Sequence, residues 1–424
     1  MRKLLNSGIL GAADQALLSV FNLGIGLLFI HAAAKQEYAH YVLIFAGLML
    51  IQSLHNAVVT SPLTTLHSSR SDPVQQSNID AAARVLQRWM MMSVVVVATL
   101  EFGLESVGFG LLGTHVNPLC VGLAALGLLS REYARTQCYL RLRPGYALLT
   151  DSVYVLLSAV WLLAVWYSDH VSADAVLAGI GVAGILIAPI SARNLNNAGA
   201  GTAVADVRSV LPEFWSCIKW ALPSVVVTWA YANAFIYLID MYMGKEAVAD
   251  VSASRLLIMP ISLLVTGWAA AFRPRAGRLL ALRQTGQIDK AMRWSAASFM
   301  VVGVMYGAIL AVLYPLAITR FLGEKYGGLE LLAAAWLLFF TVTAVRSVGM
   351  AAMLASKFSF RPLFLYGVAT LLVALLCCTV AARSGTSEYV ILGLTVAEVF
   401  LGTIIWLKGW PGIRKSITMQ PSAR

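Results

Sequence analysis

Apolar residues fill this chain in long stretches that are separated by short polar connections. A helix needs about 20 mostly apolar residues to cross the roughly 30 Å hydrocarbon core of a bilayer. Stretches of this kind occupy residues 8–31, 38–60, 89–113, 118–140, 147–167, 174–193, 214–240, 250–272, 294–318, 329–354, 363–383 and 389–410. We therefore predict an all-α, polytopic membrane protein with about 12 transmembrane helices.

Basic residues are distributed unevenly between the two sets of connections. One set contains the polar segments 67–88, 193–213 and 273–293 and carries most of the lysines and arginines. The opposite set holds only Lys35, Lys245, Arg320, Lys325 and Arg383. Because cytoplasmic loops carry an excess of Lys and Arg, this asymmetry predicts that both termini lie in the cytosol.

The chain divides into two similar halves. Residues 194–213 are rich in Gly, Ala and Asn and lie at the midpoint, which predicts a cytosolic linker between an N-terminal lobe, 1–193, and a C-terminal lobe, 214–424, with a short cytosolic tail. The halves repeat with an offset of about 210 residues, which separates Lys35 from Lys245. Six spans per half return the chain to the same side, so the two six-helix lobes are predicted to be parallel repeats.

Composition excludes several classes of protein. The chain is 59% apolar and 12% charged, with a mean hydropathy of +0.77, so its net charge of +11 reflects membrane topology and not nucleic-acid binding. Its five cysteines lack C-x-x-C spacing and its six histidines lack the spacing of zinc hydrolases, so we expect no metal and no cofactor. The predicted outer loops are too short for a catalytic domain, and we do not expect an enzyme.

Four arginines occur close together in "SREYARTQCYLRLRPGYALLTD" (130–151). Arg141 and Arg143 precede a helix-ending Pro-Gly and are interpreted as anchors at the membrane surface. Arg131 and Arg135 are spaced i and i+4, so they share one helix face. They form either a structural pair with a nearby carboxylate such as Asp151, or a cationic wall that binds an anionic head group.

Two arginines of the second half are further candidates for substrate binding. Arg346 lies 211 residues after Arg135, at a similar depth in its span, and has no carboxylate close to it in the sequence. We predict that Arg135 and Arg346 are pseudo-symmetric partners that line one cavity. Arg255 lies near the outer end of its span, where it either contacts substrate or pairs with an aspartate.

Polar stripes on three helices complete the candidate set. Asp14 is the acidic member of a stripe that includes Asn22 on the first span, and it is either a counter-charge to Arg131 or Arg135 or a carboxylate that couples transport to protons or sodium. Other stripes, which suit cavity lining or helix packing, contain Gln52 and Asn56 on the second span and Asn233 and Tyr237 on the seventh.

Taken with the two six-helix lobes, the segment 130–151 and "RPRAGRL" (273–279) resemble the Wzx-like polysaccharide flippases of the multidrug/oligosaccharidyl-lipid/polysaccharide superfamily. The resemblance implies alternating access through a cationic cavity in the bacterial inner membrane. It also implies an undecaprenyl-diphosphate-linked oligosaccharide as the substrate, for exopolysaccharide, capsule or O-antigen synthesis. A polysaccharide polymerase and glycosyltransferases are the implied partners.

Within this resemblance, Arg131, Arg135 and Arg346 match basic residues expected on helices 4 and 10, and Arg255 is a weaker match on helix 8. Asp14 departs from the cationic first helix of some relatives. The alternative function is a cation-coupled multidrug or small-solute exporter of the same superfamily, which Asp14 motivates. Bidentate guanidinium contacts suit phosphate oxygens, whereas cationic solutes require carboxylates.

Overall fold

The computed structural model describes residues 2–70, 72–107, 116–196, 207–317, 322–356 and 360–419. Within these ranges the chain forms twelve long helices, one short 3-10 helix, Glu324–Tyr326, and no strand, which confirms the predicted fold class. The helices are α1 Arg2–Ala32, α2 Lys35–His55 continued through a π-helical turn Asn56–Thr60 into Ser61–Ser68, α3 Pro73–Ser106, α4 Pro118–Leu140, α5 Pro144–Tyr167, α6 Ala173–Asn196, α7 Val207–Met243, α8 Lys245–Ala281, α9 Thr285–Ala317, α10 Glu330–Leu354, α11 Phe360–Ala382, and α12 Ser387–Ile404 continued through a second π-helical turn Ile405–Gly409 into Trp410–Met419.

Local sequence fixes where several helices begin. Proline occupies the first turn of α3, α4 and α5, where its missing N–H is not needed. The side chains of Asp72 and Asn117 accept hydrogen bonds from the backbone N–H groups of Val74 and Leu119, at 3.1 and 2.9 Å, and so cap α3 and α4. As a result α4 begins at Pro118, as predicted from the sequence.

Ten of the helices in the described ranges are long and apolar enough to cross a membrane. Helix α4 is not among them because Arg131, Glu132 and Arg135 interrupt its apolar sequence, and α6 has a shorter apolar segment, Ala173–Ala188. The chain is a multi-pass membrane protein.

Several helices extend beyond the predicted spans at the polar end of the bundle. Helix α3 begins 16 residues before the predicted span, and α8 and α9 are separated only by residues 282–284. Segments 67–88 and 273–293, which were predicted to be connections, are therefore mostly helical. These segments are amphipathic. An apolar stripe along one face is enough to hold a helix on the core, even where the mean hydropathy of the whole segment is low.

The helices form two compact units, Met1–Trp229 and Ala230–Arg424. The first part of α7 belongs to the first unit, where Phe214 and Ile218 pack with Val59, Leu63 and Ile79. Half of the predicted linker, residues 197–206, lies outside the described residues. The lobe boundaries at 193 and 214 therefore stay predictions.

Glycines bring α4 and α6 into backbone contact in the first unit. A Cβ atom at Gly181 would lie 2.6 Å from the backbone carbon and oxygen of Leu123, and a Cβ at Gly127 would lie 2.7 Å from the Cα of Gly181. Small residues at such crossings allow close helix packing in membranes. This packing fixes the position of α4, the helix that carries Arg131 and Arg135.

We expect Gly181→Ala to destabilise the protein by about 1–3 kcal/mol, because the added methyl group forces the two backbones apart. Gly24→Ala on α1 is the control, since nothing lies within 4 Å of its added Cβ. Thermal unfolding in detergent measures both variants. Equal melting temperatures for the two would contradict the close α4–α6 packing.

Candidate functional site

The arginine pair on α4 contacts buried carboxylates on two neighbouring helices. The Nη2 atom of Arg135 lies 2.8 Å from Oδ2 of Asp14 on α1, and its Nε donates to the same oxygen at 2.9 Å. The same Nε lies 3.3 Å from Oδ2 of Asp151 on α5. The Nε of Arg131 is 3.8 Å from Oδ1 of Asp151. The counter-charge predicted for the arginines is therefore present, and it comes from both aspartates.

These residues form a group that we call the Asp14 cluster: Asp14, Arg131, Glu132, Arg135 and Asp151. Asp14 and Asp151 are fully buried, with 0% exposure. One oxygen of each lies within hydrogen-bonding or ion-pairing distance of the same Arg135 nitrogen, so the two carboxylates are close neighbours. The carboxylate of Glu132 lies 3.9 Å from Nη1 of Arg135.

Neutral side chains surround the Asp14 cluster. Tyr139 donates its hydroxyl to Oδ2 of Asp14 at 2.7 Å, and Gln52 donates to Oε2 of Glu132 at 3.4 Å. The guanidinium of Arg131 lies 4.5 Å from the ring centre of Tyr154, within range of a cation–π interaction. The polar stripe on α2 thus reaches the cluster through Gln52.

The Asp14 cluster contains three carboxylates but only two guanidinium groups. When all are ionised, its formal charge is negative by one. An unbalanced buried charge is costly, so such a site favours uptake of a proton or another small cation; no group of three or more His, Cys, Asp or Glu side chains among the described residues is arranged to hold a metal ion. Oδ1 of Asp14 and both oxygens of Asp151 are buried and accept no hydrogen bond from any described residue. Because both Asp151 oxygens lie within ion-pairing distance of an arginine nitrogen, Oδ1 of Asp14 is the oxygen best placed to receive that cation.

In the second unit, Arg346 also pairs with a buried carboxylate. Its Nε donates to Oε2 of Glu398 on α12 at 2.6 Å, and the hydroxyl of Tyr231 on α7 donates to Oε1 of Glu398 at 2.6 Å. We call these residues the Glu398 triad: Tyr231, Arg346 and Glu398. Arg346 has no carboxylate close to it in the sequence, and its partner comes from a helix 52 residues later in the chain.

The repeat places Arg135 and Arg346 at matched positions in their helices. Arg135 lies 17 residues after the start of α4, and Arg346 lies 16 residues after the start of α10. Their carboxylate partners are not equivalent, since Asp14 and Asp151 lie on α1 and α5 whereas Glu398 lies on α12. The predicted common cavity of the two arginines stays a prediction.

Other candidate residues occupy different surroundings. The guanidinium of Arg255 lies 5.4 and 6.0 Å from the ring centres of Trp336 and Phe340 on α10, so it stacks on aromatic side chains. Asn22 is exposed on α1. Asn56 accepts a hydrogen bond from Thr60 at 2.7 Å within the π-helical turn of α2.

The two residues of the stripe predicted on α7 lie in the second unit. Asn233 is half-buried, and Tyr237 is exposed. The anchors Arg141 and Arg143 lie at the α4–α5 turn, where Arg141 is 3.8 Å from Asp80. Arg143 stacks on Tyr146, 5.7 Å from its ring centre.

Sequence reasoning missed Tyr139, Tyr231 and Glu398. For Glu398 a signal was present, because it is the only charged residue between Glu388 and Lys408 on the twelfth span. A lone carboxylate in a transmembrane segment usually faces a partner or a water-filled cavity. The tyrosines carry no comparable signal, since tyrosine is common at membrane interfaces.

Comparisons with known proteins identify the fold. No protein-family model matches the sequence, and no curated protein matches it. Among solved structures, the chain is similar to a multidrug resistance MATE family transporter of the MOP superfamily in an inward-facing conformation, with a TM-score of 0.73, 11% identity, and coverage of 95% of this chain and 96% of that one.

Two further structures extend this similarity. An outward-facing multidrug resistance MATE family transporter of the MOP superfamily matches with a TM-score of 0.69 and 11% identity, over 99% of this chain and 97% of that one. A MOP superfamily transporter from Pyrococcus furiosus, described by the reversed polarity of its binding pocket and a suggested different function, matches with a TM-score of 0.65 and 12% identity, over 99% and 96% of the two chains. The chain therefore has the fold of the MATE family transporters of the MOP superfamily.

Proposed function

We propose that this protein is a membrane transporter that exports a solute by alternating access and takes up a cation in exchange. Similar folds have been solved in inward-facing and outward-facing conformations, which supports a transporter. The observation that carries the cation coupling is the Asp14 cluster, where three carboxylates face two guanidinium groups.

The coupling follows from the electrostatics of the cluster. A proton or a sodium ion that binds between Asp14 and Asp151 neutralises the excess negative charge. It also weakens the attraction between Asp14 and Arg135, which joins α1 to α4. Loss of this attraction loosens α1 from α4 and shifts the balance between two conformations of the first unit.

A solute that competes with this cation is expected to be cationic itself. The negative charge of the cluster attracts an organic cation. The proton or sodium ion that is taken up in exchange then displaces this organic cation. This is the alternative function that the sequence suggested, and the similarity to multidrug resistance transporters supports it more than it supports a glycan flippase.

A lipid-linked oligosaccharide flippase is the second candidate. Arg135 and Arg346 retain 19% and 14% side-chain exposure, so each guanidinium group is partly accessible to a diphosphate. However, each guanidinium is already held by a carboxylate, which a diphosphate would have to displace. With this candidate we propose a location in the inner membrane, both termini in the cytosol, and a polysaccharide polymerase as the partner.

Transport by the purified protein in proteoliposomes distinguishes the two candidates. We expect an imposed proton or sodium gradient to drive accumulation of ethidium, an organic cation, and an ionophore that collapses the gradient to abolish it. A parallel assay follows flipping of a fluorescent undecaprenyl-diphosphate oligosaccharide. If the protein flipped this lipid and did not transport ethidium, the proposed function would be wrong and the second candidate would be favoured.

A further inference from the structure

A cavity of about 140 Å³ lies in the second unit, between the beginning of α9 and the π-helical turn of α12. It is lined by Asp289, Met292, Arg293, Trp406 and Trp410. A buried water needs roughly 10–15 Å³ by the same kind of measure, so the cavity has room for a group of several heavy atoms. None of its lining residues belongs to the Glu398 triad.

The carboxylate of the cavity is already satisfied. Oδ1 of Asp289 accepts a hydrogen bond from Nε1 of Trp410 at 2.6 Å, and Oδ2 accepts one from Nη1 of Arg414 at 2.8 Å. These two bonds hold the indole of Trp410 in place, and they leave Asp289 with little capacity to attract a cation. A choline-like headgroup, which would need this carboxylate, is therefore disfavoured.

The remaining polar groups are donors. Arg293 is exposed and forms no ion pair or hydrogen bond with the part of the chain that the structure describes. Nε1 of Trp406 is buried against α10, where a Cβ at Gly349 would lie 3.1 Å from it, so this N–H does not open into the cavity. A cavity with a satisfied carboxylate and an unpaired guanidinium is suited to an anion.

The position of the cavity indicates where such an anion comes from. Asp289 and Arg293 precede the predicted ninth span, which begins at 294, and Trp410 ends the predicted twelfth span. The cavity therefore lies at the boundary of the hydrocarbon, on the side predicted to be cytosolic. Tryptophans concentrate at this level of a membrane, and basic pockets between helices on the cytoplasmic side bind anionic headgroups.

We propose that this cavity binds the phosphate headgroup of an anionic membrane phospholipid. The guanidinium of Arg293 contacts the phosphate oxygens, the ring of Trp406 covers the glycerol portion, and the acyl chains remain in the bilayer. The floor of the cavity is the core where Met292 and Trp410 pack with residues of α8 and α10. A bound lipid therefore braces the ends of α9 and α12 against that core.

Native mass spectrometry of the full-length protein in detergent tests this proposal with short-chain phosphatidylglycerol. We expect tighter binding of phosphatidylglycerol than of short-chain phosphatidylcholine, and binding about tenfold weaker in Arg293→Gln, which removes a charge-assisted contact. The matched control is Arg278→Gln, an exposed arginine on α8 that does not line the cavity.

Three results would overturn the proposal. The first is equal binding of the two lipids by the unmodified protein. The second is an equal loss in Arg278→Gln and Arg293→Gln, which would indicate general attraction to a basic surface. The third concerns glycerol phosphate, the same headgroup without acyl chains: if it bound as tightly as phosphatidylglycerol, the ligand would be a soluble phosphate and not a membrane lipid.

Discussion

Glu398→Gln is expected to lower the free energy of unfolding by roughly 3 kcal/mol or more, because removal of one partner from a buried ion pair leaves the other charge unpaired. Glu398 is 1% exposed and accepts hydrogen bonds from both Arg346 and Tyr231. Within the described residues, no second carboxylate lies within ion-pairing distance of Arg346. Thermal unfolding of the purified protein in detergent measures the loss.

Two further variants make this result specific. The double variant Arg346→Gln/Glu398→Gln removes both charges and should recover most of the stability. Glu388→Gln, in the first turn of the same helix, removes a carboxylate that accepts a hydrogen bond from Ser387 and forms no ion pair with a described residue, so it should cost less than about 1 kcal/mol. If the double variant were no more stable than Glu398→Gln, the Glu398 triad would not be held together by charge pairing.

Asp14→Asn is expected to have the opposite profile, with a small loss of stability and a loss of gradient-driven transport of tenfold or more. The substitution leaves Glu132 and Asp151 to balance Arg131 and Arg135, so the cluster becomes neutral and needs no cation. An asparagine retains an oxygen that can accept from Tyr139 and Arg135. Ethidium transport in proteoliposomes under an imposed gradient is the measurement.

A matched control separates coupling from a general effect of charge. Asp240→Asn removes a carboxylate that pairs with Lys245 at 2.7 Å in the second unit, outside the Asp14 cluster. Transport by this variant should be close to that of the unmodified protein. Asp14→Asn protein that is folded, present at normal abundance and still driven fully by the gradient would exclude Asp14 as the coupling carboxylate.

The helices could be predicted from the sequence because hydrocarbon requires long apolar stretches. Each of the twelve predicted spans overlaps a helix of the described ranges, and α4 begins at Pro118, where the predicted span begins. Helix length at the polar end could not be predicted from hydropathy. There, residues such as Ile79 and Ile288 hold a polar helix on the core through a narrow apolar stripe.

The candidate site was predictable only where its residues lie close together on one helix. The i, i+4 spacing of Arg131 and Arg135 predicts that both use one face of α4. The ion pair between Asp14 and Arg135 agrees with one of the two roles predicted for Asp14, that of a counter-charge. The pairing of Arg346 with Glu398 depends on how α10 packs against α12, which no local pattern encodes. The substrate is likewise set by side chains around these charges and not by the fold.

The central claim is that the Asp14 cluster binds the cation that drives transport, and the affinity of the purified protein for ethidium tests it most directly. At fixed sodium, affinity is measured against pH; at fixed pH, it is measured against sodium concentration. If one cation competes with ethidium, affinity should fall by up to about tenfold for each tenfold rise in that cation. The account predicts that this dependence disappears in Asp14→Asn and persists in Asp240→Asn. A dependence that survives unchanged in Asp14→Asn would contradict it.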